Sequence, residues 1–90
     1  MTTGTRPRQA PDFKLEKMDD DLLLFHPAQN KIFYCNETAA LIWQLCNGER
    51  TPAEIGALIT AAYPEAAEAI EQQLASTLSQ FHEQGAIEYV

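Results

Sequence analysis

Lys31-Ile32-Phe33-Tyr34-Cys35-Asn36-Glu37-Thr38-Ala39-Ala40-Leu41-Ile42-Trp43-Gln44-Leu45-Cys46-Asn47-Gly48 changes its period part-way along, and that change decides the fold. Residues 31 to 35 are rich in β-branched and aromatic side chains and read as a strand. The apolar run that begins at Asn36 reads as a helix that follows with no linker. A strand joined directly to a helix is a rigid corner. Asn36 suits the N-cap because its side-chain oxygen accepts from the free amides of the first turn, and Gly48 suits the stop because it tolerates left-handed dihedrals.

Upstream, Phe13 to Met18 alternates as a strand with one apolar-leaning face, and Asp19-Asp20-Asp21 reads as a turn. Three adjacent carboxylates without a spaced loop lack the ligand geometry of a calcium site. Leu22-Leu23-Leu24-Phe25-His26 is apolar on both faces, which predicts a central, covered strand. Pro27-Ala28-Gln29-Asn30 supplies the next turn. Three short strands with tight turns make an antiparallel meander whose first and third strands are edges. The third carries only Lys31 to discourage pairing and has no proline, so it is a poorly defended edge. Residues 1 to 12, with Gly4, Pro7 and Pro11 and no large apolar residue after Met1, have the composition of a flexible arm without fixed structure, which leaves residues 13 to 90 as a single domain.

Downstream, Thr51-Pro52-Ala53-Glu54 is a capping box, with Thr51 as N-cap, Pro52 at the first helical position and Glu54 reaching back. Ile55, Leu58, Ile59 and Ala62 then form a helical apolar stripe, which Tyr63-Pro64 ends. A last helix is predicted from about Glu65 to Gln84, with Ala67, Ile70, Leu74, Leu78 and Phe81 on one face, Glu68, Glu71, Gln72 and Glu83 on the solvent side, and Gly85 as its stop. Ala86 to Val90 alternates like a short strand or a tail that docks on the body.

Ninety residues allow one modest core, and 46% hydrophobic residues mark a globular chain. No apolar run approaches a membrane span and the N-terminus does not read as a signal peptide, so a cytoplasmic protein without a membrane partner is expected. The net charge is −7, and no Lys or Arg follows Arg50, which argues against a nucleic-acid partner. Cys35 and Cys46 fit neither a CxxC motif nor a zinc-ligand spacing. They lie too far apart along the helix for a disulfide, so they are expected as reduced, packed thiols. His26 and His82 have no partner that would make a nucleophile or a ligand set. With glycine-rich phosphate loops and nucleophile elbows also missing, neither an enzyme nor a cofactor is expected. The helix around Trp43 is apolar almost all round, which fits either burial against both the sheet and the other helices or a surface part of which meets a partner.

A strand running into Asn36, then Thr38-Ala39, Ile42-Trp43, Leu45, Gly48, Arg50-Thr51 and Glu54-Ile55, with Leu74, Leu78, Phe81, Gly85 and Ile87 further on, resembles the PqqD family. These are recognition elements that bind the leader segments of ribosomally made, enzymatically modified peptides. The resemblance spans roughly residues 8 to 90. Cys35, Asn47 and Gln73 depart from the family pattern, where Leu, an acid and an acid are usual; the third departure bears on which leader is bound. The resemblance implies an α+β, winged-helix-like fold of three antiparallel strands followed by three helices. The leader would add as a strand beside the third strand, in a groove closed by the last helix. The implied peptide-binding residues are Lys31, Ile32, Phe33, Tyr34 and Cys35 on the strand, with Leu74, Thr77, Leu78 and Phe81 on the helix. The sequence leaves open which of them face inward.

The implied partners are a precursor leader peptide and a maturation enzyme such as a radical S-adenosylmethionine protein, a cyclase or a leader protease. The exposed edge also permits a homodimer through edge pairing. Two other classes compete with this one. A winged-helix DNA-binding domain needs a basic reading helix, whereas the last helix has Glu65, Glu68, Glu71 and Glu83 and no Lys or Arg. The other is an acidic carrier or small scaffold protein; a carrier needs a serine at a helix start for its prosthetic arm, whereas Ser76 and Ser79 lie inside the last helix.

Overall fold

Alternation and turn residues between Phe13 and Cys35 produce the meander: β-strands at Lys14–Met18, Asp21–His26 and Lys31–Cys35 pair antiparallel in that order. The computed structural model of the chain describes residues 4–90. In chain order the elements are β1 (Pro7–Gln9), β2 (Lys14–Met18), β3 (Asp21–His26), β4 (Lys31–Cys35), α1 (Glu37–Gln44), α2 (Pro52–Ala62), a 3-10 turn (Pro64–Ala66), α3 (Ala67–Glu83) and β5 (Ile87–Tyr89). The third strand of the sequence reading is thus β4, and the α+β fold of a three-stranded sheet with three helices is observed. Asp19 and Asn30 take the left-handed conformation in the two tight turns, one that Asp and Asn adopt more readily than most side chains.

The register sets Leu15, Leu24 and Phe33 in one inward row and Lys17, Leu22 and Cys35 in the next. Phe13, buried just before β2, lies parallel to the Phe33 ring at 5.9 Å and meets His26 edge-on at 5.1 Å. Helices cover this inner face with Ile42, Trp43, Ile55, Ile59, Ile70, Leu78 and Phe81. Complete burial of side chains such as Leu24, Ile42 and Ile55 contributes about 1.5–3 kcal/mol each. β3 is central, as expected, but it is covered on one face only. Leu23 and Phe25 lie half-buried on the outer face, where no helix packs. A continuous apolar run reads the same whether one face or both are covered, which is why the expectation of a covered strand was too strong.

Asn36 caps α1 by accepting the Ala39 N–H at 2.7 Å, and both bonds of the Thr51/Glu54 capping box are formed. α1 is shorter than the sequence suggests. It ends at Gln44 with Leu45 as C-cap, and its last carbonyls accept from Gln9 Nε2 (Trp43 and Gln44) and from Arg50 (Leu45). Gly48, at φ +82°, turns the chain a few residues beyond the helix instead of stopping it. α3 does end on its glycine. With Gly85 at φ +79°, the Gly85 N–H donates to His82 and the Ala86 N–H to Phe81, which makes a Schellman motif. α2 and α3 pack closely at Gly56, where a Cβ would stand 3.2 Å from Leu74 Cδ2.

The arm at residues 1–12, expected to lack fixed structure, contains a strand. β1 pairs antiparallel with β5, matching Pro7 with Tyr89, Arg8 with Glu88 and Gln9 with Ile87. Pro7 is fully buried and its carbonyl accepts the Gly48 N–H at 2.9 Å, while the Gln9 N–H donates to Cys46. Arg8 also pairs with Glu88 through its side chain. What holds this strand is main-chain pairing to residues near the other end of the chain, and Pro7 fits as the first residue of a strand. Residues 1–3 of the expected arm lie outside the described residues. The Trp43 indole N–H donates to the buried Ala86 carbonyl at 3.0 Å, tying α1 to the segment that leads into β5.

Candidate functional site

Among the described residues β4 pairs only with β3, so along its five residues the main-chain groups that point away from β3 form an unpaired edge. Beside this edge runs a groove of about 550 Å³. Phe33, Tyr34 and Cys35 on β4, Asn36 at the corner and Ala39 on α1 form one wall. Thr77, Gln80, Phe81, Glu83 and Gln84 at the C-terminal end of α3 form the other. The absence of a linker between β4 and α1, with the Asn36 cap at the corner, makes the first wall one rigid piece, and the Trp43–Ala86 hydrogen bond ties that wall to the end of α3. Phe81 is a floor residue shared with the core, at 7% exposure.

Of the residues named from the sequence, Phe33, Tyr34, Cys35, Thr77 and Phe81 meet in this groove. The other four do not. Leu78 is 2% exposed and belongs to the core, and Leu74 turns toward Gly56 on α2. Ile32 faces the outer side of the sheet, and Lys31 lines a separate recess with Asp12, His26, Gln29 and Glu88. Strand alternation explains the split: Phe33 and Cys35 pack inward, while the side chains of Ile32 and Tyr34 point to the opposite face, so Tyr34 meets the groove as part of its strand wall. Asn36, Ala39, Gln80, Glu83 and Gln84 were missed. Thr77, Gln80 and Gln84 form a polar stripe at i, i+3 and i+7, one position away from the apolar stripe that marks the core, and that offset was the available signal. Gln73, a departure from the family pattern, does not line the groove.

Glu83 is the only acidic or basic residue on the lining. Burial raises the Cys35 thiol above its ordinary range and pushes Cys46 up to about 12; both are free, and the Cys46 thiol sits 3.1 Å from the Ile42 carbonyl. His26 Nδ1 accepts the Gln29 N–H at 3.1 Å, so this buried histidine closes the β3–β4 turn. A second recess, of about 460 Å³, lies across α1 between Leu22, Ala40, Leu41, Ile59 and Tyr63, with Glu37 and Glu65 at its rim. It touches no free strand edge. Among the described residues no group of three His, Cys, Asp or Glu could hold a metal ion, and no helix is long and apolar enough to cross a membrane.

An open sheet edge, a groove along it and a helix as the far wall are the geometry that strand-adding peptide-binding domains in general use. The family Coenzyme PQQ synthesis protein D (PqqD) matches residues 21–87, and the chain belongs to it. No curated protein matches the chain. Two solved structures share its fold. TbiB1 in complex with the TbiA(beta) leader peptide superimposes with a TM-score of 0.69 at 22% identity, over 90% of this chain and 94% of that one. A lasso peptide synthetase B1 complexed with the leader peptide gives a TM-score of 0.70 at 23% identity, over 91% and 96%.

Proposed function

We propose that the chain is a non-catalytic recognition module. It binds the leader segment of a ribosomally made precursor peptide as a strand added to β4 and presents it to a modifying enzyme such as a radical S-adenosylmethionine protein, a cyclase or a leader protease, in the cytoplasm. The observation that carries this reading is the free β4 edge lying along the groove in a PqqD-family fold. The two solved relatives with this fold hold leader peptides, which supports it. Main-chain bonds along β4 would fix an extended peptide in register, and Phe33, Cys35, Ala39 and Phe81 would receive its apolar side chains. Thr77, Gln80 and Gln84 would meet its polar groups. The acidic surface of α3, with Glu68, Glu71 and Glu83 and no Lys or Arg, disfavours the nucleic-acid alternative. A homodimer formed through β4 would compete with the peptide for the same edge.

Thr77→Arg tests the groove. Arginine suits a helix position, so the fold should persist by circular dichroism, while a long cation enters the groove mouth. Fluorescence polarisation with the leader peptide of a precursor encoded beside the gene is expected to show at least a tenfold loss of affinity, a difference of about 1.4 kcal/mol. Unchanged affinity in the folded variant would count against this groove.

A further inference from the structure

Ile32 and Tyr34 are 60% and 77% exposed, among the most exposed large apolar side chains described, and they lie on the sheet face that turns away from α3. The register places them in two outer rows: Lys14, Phe25 and Ile32 in one, Glu16, Leu23 and Tyr34 in the other. Each row is charged at the β2 edge, where Lys14 and Glu16 stand, and apolar from β3 to β4. The asymmetry matches the way edges are protected. β2 carries the charges that discourage pairing, whereas β4 presents apolar side chains on its outer face up to the last row of the sheet. Side chains this exposed add little to the stability of the fold, and a strand added to β4 would extend both rows by one residue.

We propose that a peptide added to β4 is read from both sides of the sheet. Its inward side chain enters the groove beside Phe33, and its two neighbours, pointing outward, pack against Ile32 and Tyr34. Residues directly opposite on paired strands share a face and bring their Cβ atoms within about 4.5–5.5 Å of each other. Aromatic and β-branched partners are favoured in such pairs. The recognised segment is therefore aromatic or β-branched at two positions, i and i+2, that flank an apolar residue, rather than strictly alternating between apolar and polar. This inference rests on strand addition at β4 and goes beyond it by assigning the peptide's outward residues a role in selection.

The test is a display library of random linear 12-residue peptides selected separately on the protein and on the Ile32→Ser/Tyr34→Ser variant; serine removes both the apolar surface and the β-branch or ring at the two exposed positions. Peptides selected by the parent protein are expected to share the apolar triplet. Those selected by the variant should keep its middle residue and lose the preference at the flanking two. A labelled peptide from the first pool should bind the variant about two- to thirty-fold more weakly, and Tyr34→Phe should retain parent affinity. Identical flanking preferences and affinities for parent and variant would overturn the inference while leaving strand addition intact. Selected peptides that leave the Lys31 to Cys35 amide resonances unmoved would instead remove strand addition itself, and the inference with it. A dimer paired through β4 that persists at peptide saturation would also overturn it, because the second copy would then hold that edge.

Discussion

Methylating the backbone nitrogens of a bound leader one residue at a time separates strand addition from simple hydrophobic capture. β4 is five residues long, about 17 Å at roughly 3.3 Å per residue. An added strand of that length directs alternate N–H groups at the β4 edge and the others away from it. Each ladder bond contributes about 0.5–1.5 kcal/mol net, so one methyl on an edge-facing nitrogen should weaken binding by about two- to twelve-fold. Methyls on the intervening nitrogens should leave affinity near that of the parent peptide. Isothermal titration of the methylated series against the full-length protein reads the pattern directly. A loss with period two over about five residues supports pairing with β4. Losses that are uniform, or that recur every three to four residues as on a helix face, would refute it.

The remaining predictions concern the thiol at the groove and the contacts that hold its walls. Cys35 lines the groove and Cys46 is buried, its thiol pushed up to about 12 by desolvation; saturating leader peptide should slow iodoacetamide labelling of Cys35, while Cys46 stays unlabelled in the native protein with or without peptide, both read by mass spectrometry. Trp43→Phe removes the indole donor from the buried Ala86 carbonyl and should cost about 1–3 kcal/mol. At about 4–8 °C per kcal/mol for a domain of this size, calorimetry should find the melting temperature lower by several degrees or more. Hydrogen bonds from Thr51, backbone first and hydroxyl second, hold the Glu54 carboxyl below its ordinary value of 4.5. Its folded pKa is depressed, so its contribution to stability is present above pH 4.5 and is lost as pH falls through the lowered value. The urea midpoint of Glu54→Ala should therefore lie below that of the parent at neutral pH and converge toward it in acid.

Local chemistry made much of the fold readable. The Asn36 cap, the Thr51–Glu54 box and the Gly85 stop each depend on residues within one helical turn, and each formed as read. β1 was invisible for the opposite reason: its bonds run to Cys46, Gly48 and the β5 strand, and composition near Pro7 carries no trace of such distant partners. Gly48 looked like a helix stop, but Gln9 and Arg50 supply the donors for the α1 carbonyls, which lets the helix end before it.

The candidate site was half legible. The weakness of the β4 edge follows from its own residues, since only Lys31 defends it. The facing of Lys31-Ile32-Phe33-Tyr34-Cys35 could not be read, because apolar side chains occupy both parities. The buried ring of Phe13 beneath Phe33 accompanies the observed parity. On α3, the strongest apolar periodicity belongs to the core, and the groove uses the quieter polar stripe beside it, so Leu74 and Leu78 stood where Gln80 and Gln84 belonged.

Strand addition at β4 is put to the test by titrating the isotope-labelled protein with the leader peptide of a neighbouring precursor and following it amide by amide. Perturbations are expected to concentrate at Lys31 to Cys35 and at Thr77, Gln80, Phe81 and Gln84. Perturbations centred instead on Leu41, Ile59, Tyr63 and Glu65, across α1 from the strand edge, would contradict it.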